Sequence, residues 1–523
     1  MQIPTEVTNI LDKLNKSGFE AYVVGGCVRD LLLARQSPRL AGAFGEAQVG
    51  DGGDQKPKDW DIATNALPEQ IQKIFPDSFY ANKFGTVTVK TDSSDETLKE
   101  IEITTYRVDA KYSDKRHPDS VCFTRNLEED LARRDFTINA IALMEIKNQK
   151  SKIKIIDLFN GQEDLKNGRI RAVGKPEERF NEDALRMLRA VRFAVELSSV
   201  KQSFTIEEKT QRAIQKNAGL LQIIAKERIR DELEKIIMST KPDEGILMLR
   251  DLGLLKFIIP ELEKGIGMTQ NRHHIYTIFE HAILSLKFAA RPAKFYEGKF
   301  GGVNKKYNLV VRLAALLHDI AKPQAKRGEG LDSTFYNHDI MGAKIAVRIL
   351  ERLHFSREII ERAANLVRHH MFVYDVGAVT EAGVRRLLRR AGPENIGDLL
   401  ALRIADRLGS GVPKAQPYRL RHFQYMIEKV QHDAISVKML KINGRDIMEI
   451  LKIEPGPKIG AILDVLLAEV IENPEKNEKK YLAQRAKALN EIDSSQLRQM
   501  AKEKIEEKKE EENKIIKDKY WVE

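Results

Sequence analysis

The chain is poor in cysteine and has no long apolar run. Its 523 residues include only Cys27 and Cys122 as thiols. Two cysteines build no disulfide framework and no cysteine zinc site, which suits a reducing cytoplasm. No stretch reaches the roughly 18 apolar residues of a membrane span. Met1 to Asn15 is polar and amphipathic, without a signal-peptide pattern. The expectation is a cytoplasmic protein that engages no membrane. Hydrophobic residues make up 42% of the chain, as in ordinary globular proteins. The length suggests roughly three or four domains. A formal net charge of +10 points weakly to a polyanionic partner, because lysine-rich surfaces are also common elsewhere.

Chemistry gathers first at Lys58-Asp59-Trp60-Asp61-Ile62-Ala63-Thr64. Read as a short strand, this run points Asp59 and Asp61 to one face and Trp60 to the other, into packing. Two carboxylates on one face suit a hard cation such as Mg²⁺, which takes one or two carboxylates plus substrate phosphates. Taken alone, Asp-x-Asp reads equally well as a solvated turn or strand edge. Upstream, Tyr22-Val23-Val24-Gly25-Gly26-Cys27-Val28-Arg29-Asp30 is an apolar strand, a glycine turn and a helix start. Glycines there let the backbone approach a phosphate, and free N–H groups at a helix start favour anions. Arg29 adds a planar donor fork. The competing reading is a plain strand-to-helix turn. Phosphate cradle and metal carboxylates together describe a nucleotidyl transfer site.

Around this centre the spacing predicts an opening helix over 5–17, with Val7, Ile10, Leu11 and Leu14 on one face, and a second helix over Val28–Arg35. Residues 36–55, rich in glycine and alanine, read as a mobile surface loop or, more sharply, a substrate-contacting lid. Thr86–Lys90 and Glu100–Thr105 alternate as strands. Glu102 falls on the polar face, either a third carboxylate near the metal or a surface glutamate. A polar loop spans Tyr112–Pro118. Then Asp130-Leu-Ala-Arg133-Arg134-Asp135-Phe136-Thr137-Ile138-Asn139-Ala140 joins a charged cluster to an expected apolar helix. Adjacent arginines beside a metal can bind a triphosphate, though a bare charge run is more often a solvated face. Arg179–Phe193 reads as one helix. Met187, Leu188, Val191, Ala194 and Val195 fall on one side, and Glu182, Asp183, Arg186, Arg189 and Arg192 on the other. The charges either pair a turn apart or offer hydrogen bonds to a base edge. A second charged helix covers Lys226–Leu233.

In this order the motifs Gly-Gly-x-Val-Arg-Asp, Asp-Trp-Asp-Ile-Ala-Thr, Arg-Arg-Asp-Phe-Thr-Ile-Asn-Ala and Glu-Asp-Ala-Leu-Arg-Met-Leu-Arg-Ala-Val-Arg-Phe resemble the class II tRNA nucleotidyltransferases, the bacterial CCA-adding enzyme and poly(A) polymerase family. The resemblance runs from about Val23 to Leu262. It implies an α+β fold, a head with a small mixed sheet followed by all-helical neck, body and further domains. It implies Mg²⁺ on Asp59 and Asp61, and nucleotide contacts at Gly26, Arg29, Arg134, Asp183, Arg186, Arg189 and Arg192. In that family the neck Asp and Arg select CTP or ATP in place of a template. The 36–55 insertion departs from the family's short link.

Further on, Phe279-Glu280-His281 precedes an apolar helix, and Leu316-Leu317-His318-Asp319-Ile320-Ala321-Lys322-Pro323 ends another. His338 opens a helix, His369-His370 end one, and Asp406 lies on the last. Imidazole and carboxylate suit a divalent metal, whereas lone helical histidines are usually structural. The ordered set His281, His318-Asp319 and Asp406 resembles the HD phosphohydrolase superfamily, whose metal here would be Mg²⁺, Mn²⁺ or Ni²⁺. His338, His369 and His370 are candidates for further ligands or for orienting a substrate phosphate. Beyond about residue 474 the Lys- and Glu-rich tail reads as a solvated helix or disordered segment, with a tRNA contact as the sharper alternative.

The expected division is a head over 1–172, a neck and body over 173–262, an HD-type domain over 263–430 and a helical C-terminal region over 431–523. The expected activity is template-independent addition or repair of the 3′-terminal CCA of tRNA from CTP and ATP. The alternatives are poly(A) tailing, a CC-only or A-only step, or an HD phosphohydrolase whose head only binds RNA. Asn82-Lys83-Phe84-Gly85-Thr86-Val87 lacks the Gly-Arg-Arg-Phe-type stretch associated with poly(A) polymerases.

Overall fold

The computed structural model describes residues 3–36, 57, 59–80, 85–109, 121–146, 152–199, 202–271, 275–290, 309–411, 417–432 and 440–522. The 36–55 insertion from residue 37 onward, the Tyr112–Pro118 loop, Lys58 and Asn82–Phe84 lie outside the described residues. The chain divides into two units. One comprises Met1–Ala293, Asn304–Arg368 and Gly409–Gly411, the other Lys294–Val303, His369–Leu408 and Val412–Glu523.

The first unit opens with helix α1 (Thr5–Lys16), which buries Val7, Ile10, Leu11 and Leu14 as their spacing predicts. Strand β1 (Ala21–Val24) is buried along its whole length and turns at Gly25 into α2 (Gly26–Gln36). There follow β2 (Asp61–Thr64), α3 (Pro68–Ile74), β3 (Ser78–Tyr80), β4 (Thr86–Lys90) and β5 (Glu100–Thr105). Strands β6 (Arg107–Asp109) and β7 (Val121–Phe123) pair as a small ribbon. Helix α4 (Leu127–Ala132) then leads to β8 (Ile141–Ile146) and β9 (Lys152–Asp157). Among the described residues seven strands form one sheet, ordered β3-β4-β5-β2-β1-β8-β9. Only β2 and β5 run parallel in it, so the sheet is mixed. One face packs Tyr22, Val24, Ala63, Ala140 and Ala142 against Tyr106, Leu131 and Val173.

Two local expectations are corrected. The charged cluster at Asp130–Asp135 does not enter an apolar helix. It passes through a single 3₁₀ turn, Thr137–Asn139, into β8. Ile141, Ala142 and Leu143 are fully buried between β1 and β9, and a continuous apolar run of this length does not distinguish strand from helix by period. Nor is Arg179–Phe193 one helix. After α5 (Gly161–Lys166) come α6 (Pro176–Glu182) and α7 (Arg186–Glu196). They break at Asp183, which is extended (φ −138°, ψ 105°). Its Oδ1 accepts from the Leu185 amide at 3.1 Å, the local side-chain bond by which Asp competes with helix.

Helices α8 (Glu208–Asn217), α9 (Lys226–Met238) and α10 (Pro242–Asp251) complete the body. Beyond them lie Ile278–Ala290, Leu309–Leu317 and His338–Arg352. Arg312, buried on the second of these, donates to the carbonyls of Ile237 and Ser239 at 2.7 and 2.8 Å. It thereby satisfies carbonyls at the end of α9 that no helical N–H can reach. Burial pushes its pKa down to about 10.

The second unit is helical among its described residues. Its core gathers Ile442, Ile447, Ile462, Leu466, Leu482, Leu489 and Leu497, among others. The charged tail forms the helix Ser494–Tyr520, capped by Asp493 accepting from the Ser495 amide. It is not solvated all round, because Leu497, Ala501, Ile516 and Tyr520 are buried.

Candidate active site

The β1–α2 turn, β2 and the α4–β8 connection converge on one point. Gly25 adopts φ +84°, and a Cβ there would lie 3.0 Å from Asp61 Oδ2 and 3.5 Å from Arg134 Nη1. Only glycine suits this backbone and this approach. At Gly26 an added Cβ would meet only Arg29 Nη2, at 3.6 Å. Gly25, quoted in the motif but assigned no role from sequence, is thus the glycine that the geometry demands.

Asp61 stands opposite Glu102 in the parallel β2–β5 register, so their side chains share a face. With Asp59, Trp60, Thr88, Glu96, Thr97 and Glu100 they line a cavity of about 470 Å³. Trp60 is buried and Asp59 exposed, as expected, but the strand begins only at Asp61, so Asp59 lies in a bend before it and not on the strand. Burial pushes the Asp61 carboxyl up to about 6, Arg134 opposing it and the charges of Glu102 and Asp59 adding to it. An all-oxygen donor set with clustered negative charge fits a hard divalent cation. Asp59, Asp61 and Glu102 do not gather three ligand atoms within 4.8 Å of one another. Among the described residues, groups that compact occur around Asp319 instead.

The expected nucleotide-binding residues are knitted together by ion pairs. Arg29 donates to Asn139 Oδ1 at 3.0 Å. Arg134 and Arg133 both reach the buried Asp130, at 3.3 and 2.8 Å. Arg189 grips Asp135 Oδ2 through Nε and Nη2 at 2.8 and 2.6 Å. Burial would raise the Asp135 carboxyl, but Arg189, Arg186 and the Asn139 amide outweigh it and hold it at about 2. Asp183 accepts two bonds from Arg228 of α9, at 3.3 and 2.8 Å. Arg186 binds Glu182 at 2.7 Å and the Arg133 carbonyl at 3.0 Å. The charged side of α7 is not freely solvated: Arg192 is buried and pairs with Glu232 of α9 at 3.0 Å, and Arg186 and Arg189 are half-buried. Arg29, Arg189 and Arg192 surround the Phe193 ring at 5.2, 5.3 and 4.4 Å. Asp130, Asp135, Asn139, Arg228 and Glu232 were missed from sequence. All lie in motifs or helices read there as charged, and only their partners reveal their roles.

A second cluster sits elsewhere in the same unit. His281 Nε2 and His318 Nε2 are 3.0 Å apart, and each lies 3.3 Å from Asp319 Oδ2. His338 Nε2 is 3.4 Å from Asp319 Oδ1. The Nδ1 atoms of His318 and His338 lie 2.9 and 2.7 Å from the carbonyls of Ala315 and Phe335. Bonds of this kind fix the tautomer that leaves Nε2 as a metal ligand. Three such atoms within 4.8 Å could hold a divalent ion. Burial would raise Asp319, but His318 and Lys322 hold its carboxyl well below the usual range. Lys322, unassigned from sequence, reaches Asp319 Oδ2 and Gln270 Oε1 at 2.7 Å each. His369, His370 and Asp406 belong to the second unit, where Asp406 is buried and accepts from Arg403 at 2.7 Å.

Comparison with known proteins agrees with this division of chemistry. The Poly A polymerase head domain family matches residues 21–171, the probable RNA and SrmB-binding site of polymerase A matches 203–266, and the HD domain matches 278–410. A CCA-adding enzyme of Lactococcus lactis is 32% identical over 472 residues, 90% of this chain and 94% of that one. The chain belongs to the CCA-adding enzyme family. The A-adding tRNA nucleotidyltransferase of Deinococcus radiodurans is 36% identical over 364 residues, 66% of this chain and 76% of that one. Lactobacillar members at 45–47% identity are matched over about half of their own length. The solved CCA-adding enzyme of Bacillus stearothermophilus in complex with CTP superposes with a TM-score of 0.53. It is 27% identical, with 94% of this chain and 98% of that one covered. The head and HD families are metal-dependent, and the His281–His318–Asp319 group could hold a divalent ion. Among the described residues no helix is long and apolar enough to cross a membrane.

Proposed function

We propose that the chain adds or repairs the 3′-terminal CCA of tRNA, using CTP and ATP and releasing pyrophosphate. The observation that carries this reading is the convergence at Gly25, where a phosphate-approach turn, the Asp61 carboxylate and the Arg134 guanidinium lie within one side chain's reach. Asp59 and Asp61 would hold Mg²⁺, with Glu102 beside them. When bound, that ion activates the RNA 3′-hydroxyl and neutralises charge on the phosphates. The rest falls to the chain itself. Gly25 and Gly26 open the backbone to the triphosphate. Arg29 and Arg134 offer guanidinium donors to its oxygens. Asp183 and Arg186 present an acceptor and donors to the base edge, held by Arg228 and Glu182. Arg189 and Arg192 tie α7 to Asp135 and to α9. This assignment takes 1–172 as head, 173–262 as neck and body, 263–430 as HD-type domain and 431–523 as the C-terminal region. Asp61→Ala should abolish incorporation while tRNA binding persists, because RNA is held mainly through phosphate contacts elsewhere. Near-normal incorporation by that variant refutes the assignment.

A second activity is favoured by the tautomer-fixing bonds around Asp319. His281, His318 and Asp319 would hold Mg²⁺, Mn²⁺ or Ni²⁺ for hydrolysis of a small phosphoester or a 2′,3′-cyclic phosphate. Asp319→Ala should remove both bound metal and hydrolysis while sparing CCA addition.

A further inference from the structure

On the second unit an exposed pair of rings brackets an arginine. Helix Tyr418–His432 and the last helix, Ser494–Tyr520, are clasped by polar bonds. Lys519 Nζ reaches both oxygens of Glu428 at 2.7 and 2.8 Å, the Tyr520 hydroxyl donates to Glu428 at 2.5 Å, and the Tyr425 hydroxyl bonds Asn513. This clasp fixes the end of the helix and leaves the next side chain outside. Trp521 is 64% exposed and Tyr418 is 40% exposed. The Arg421 guanidinium lies 5.8 Å from the centre of each ring. Its Nε is buried without a hydrogen-bond partner, and among the described residues no carboxylate pairs with it. Lys517 is close enough to His422, one residue along, for its charge to join burial in holding the imidazole pKa down. Along α7, by contrast, guanidinium groups are matched to acids. Here, among the described residues, Arg421 stands between two exposed rings with no carboxylate paired to it.

Exposed aromatic rings flanking unpaired positive charge fit single-stranded nucleic acid. Bases stack on the rings, and phosphates meet the cations. A protein partner would more often bring an apolar surface, for which an uncompensated guanidinium at the centre is costly. We propose that Tyr418, Arg421 and Trp521 form a stacking platform for an unpaired base of the RNA substrate, with Arg421 and Lys517 meeting its backbone. The proposal rests on the reading of tRNA as substrate.

The test is the affinity of the full chain for tRNA lacking its CCA end, measured alongside incorporation. Trp521→Ala should weaken binding roughly tenfold, as loss of one base–aromatic stack does. Trp521→Phe should restore affinity, and the rate at saturating tRNA should not change. Unchanged affinity in Trp521→Ala overturns the proposal, as does a loss that Trp521→Phe leaves unrepaired. If the wild-type chain extends tRNA and Trp521→Ala binds it equally well, this inference fails alone. If the wild type neither binds nor extends tRNA, the proposed function fails first.

Discussion

Asp135→Asn should uncouple head from neck, and its cost can be worked out. Asp135 lies between the Arg134 loop and β8, is 9% exposed, and meets Arg189 of α7 through two short bonds. The substitution is isosteric. An amide oxygen can still accept from the Phe136 amide and from Asn139, which both bond Oδ1. Its NH₂ group then faces Arg189 in place of a carboxylate oxygen. The folded carboxyl sits at about 2 against an ordinary 3.8. At about 1.4 kcal/mol per unit, this depression amounts to about 2 kcal/mol of stability. The sign follows from the direction. A depressed carboxyl stabilises above its unfolded pKa, and the contribution is lost as pH falls from about 4 through 2. The gap between wild type and Asp135→Asn should therefore be about 2 kcal/mol at pH 7 and close as the pH approaches 2. The assay is urea denaturation followed by tryptophan fluorescence in a Trp521→Phe background. With two tryptophans in the chain, this leaves buried Trp60 to report on the head. A gap that stays constant from pH 7 to low pH refutes the ion-pair account.

Other substitutions separate residues that look alike in sequence. Gly25→Ala should reduce nucleotide incorporation far more than Gly26→Ala, because only the former meets Asp61 and a left-handed backbone; equal rates in the two variants would count against the convergence. Arg228→Ala frees Asp183 from its two bonds and should flatten the preference among CTP, ATP, UTP and GTP, read as relative incorporation. A bidentate base contact is worth about 1–3 kcal/mol, so ratios should shift by about five- to 150-fold. Arg312→Leu strands two carbonyls at the end of α9 and should cost about 1–3 kcal/mol for each; a melting temperature within a degree of wild type would contradict this. Asp319→Ala should lower metal content, measured by elemental analysis, without changing CCA addition.

Much of the head was legible because its signals are local. Period-two alternation gave Thr86–Lys90 and Glu100–Thr105 to the residue, and helical spacing gave α1 with its four buried residues. The Asp61–Glu102 pairing was only half visible. Alternation placed Glu102 on the polar face, but the register that sets it beside Asp61 is a long-range fact. The same limit hid Asp135 and Arg228. Their charges were plain, and their partners lie 54 and 45 residues away in sequence. The break at Asp183 was missed because periodicity continues across it while the side chain caps the backbone. At the His281–His318–Asp319 cluster, sequence order named candidate ligands that the structure brings together, and the structure added Lys322 and the carbonyls behind His318 and His338.

The central claim is tested most directly by sequencing the 3′ ends of tRNA lacking CCA after incubation with the full chain and CTP, ATP or both. CTP alone should give two added cytidines, and the two nucleotides together should give a complete CCA that stops there. Addition of A to ends already carrying CC, without any C addition, or an extended run of adenosines, would contradict the account.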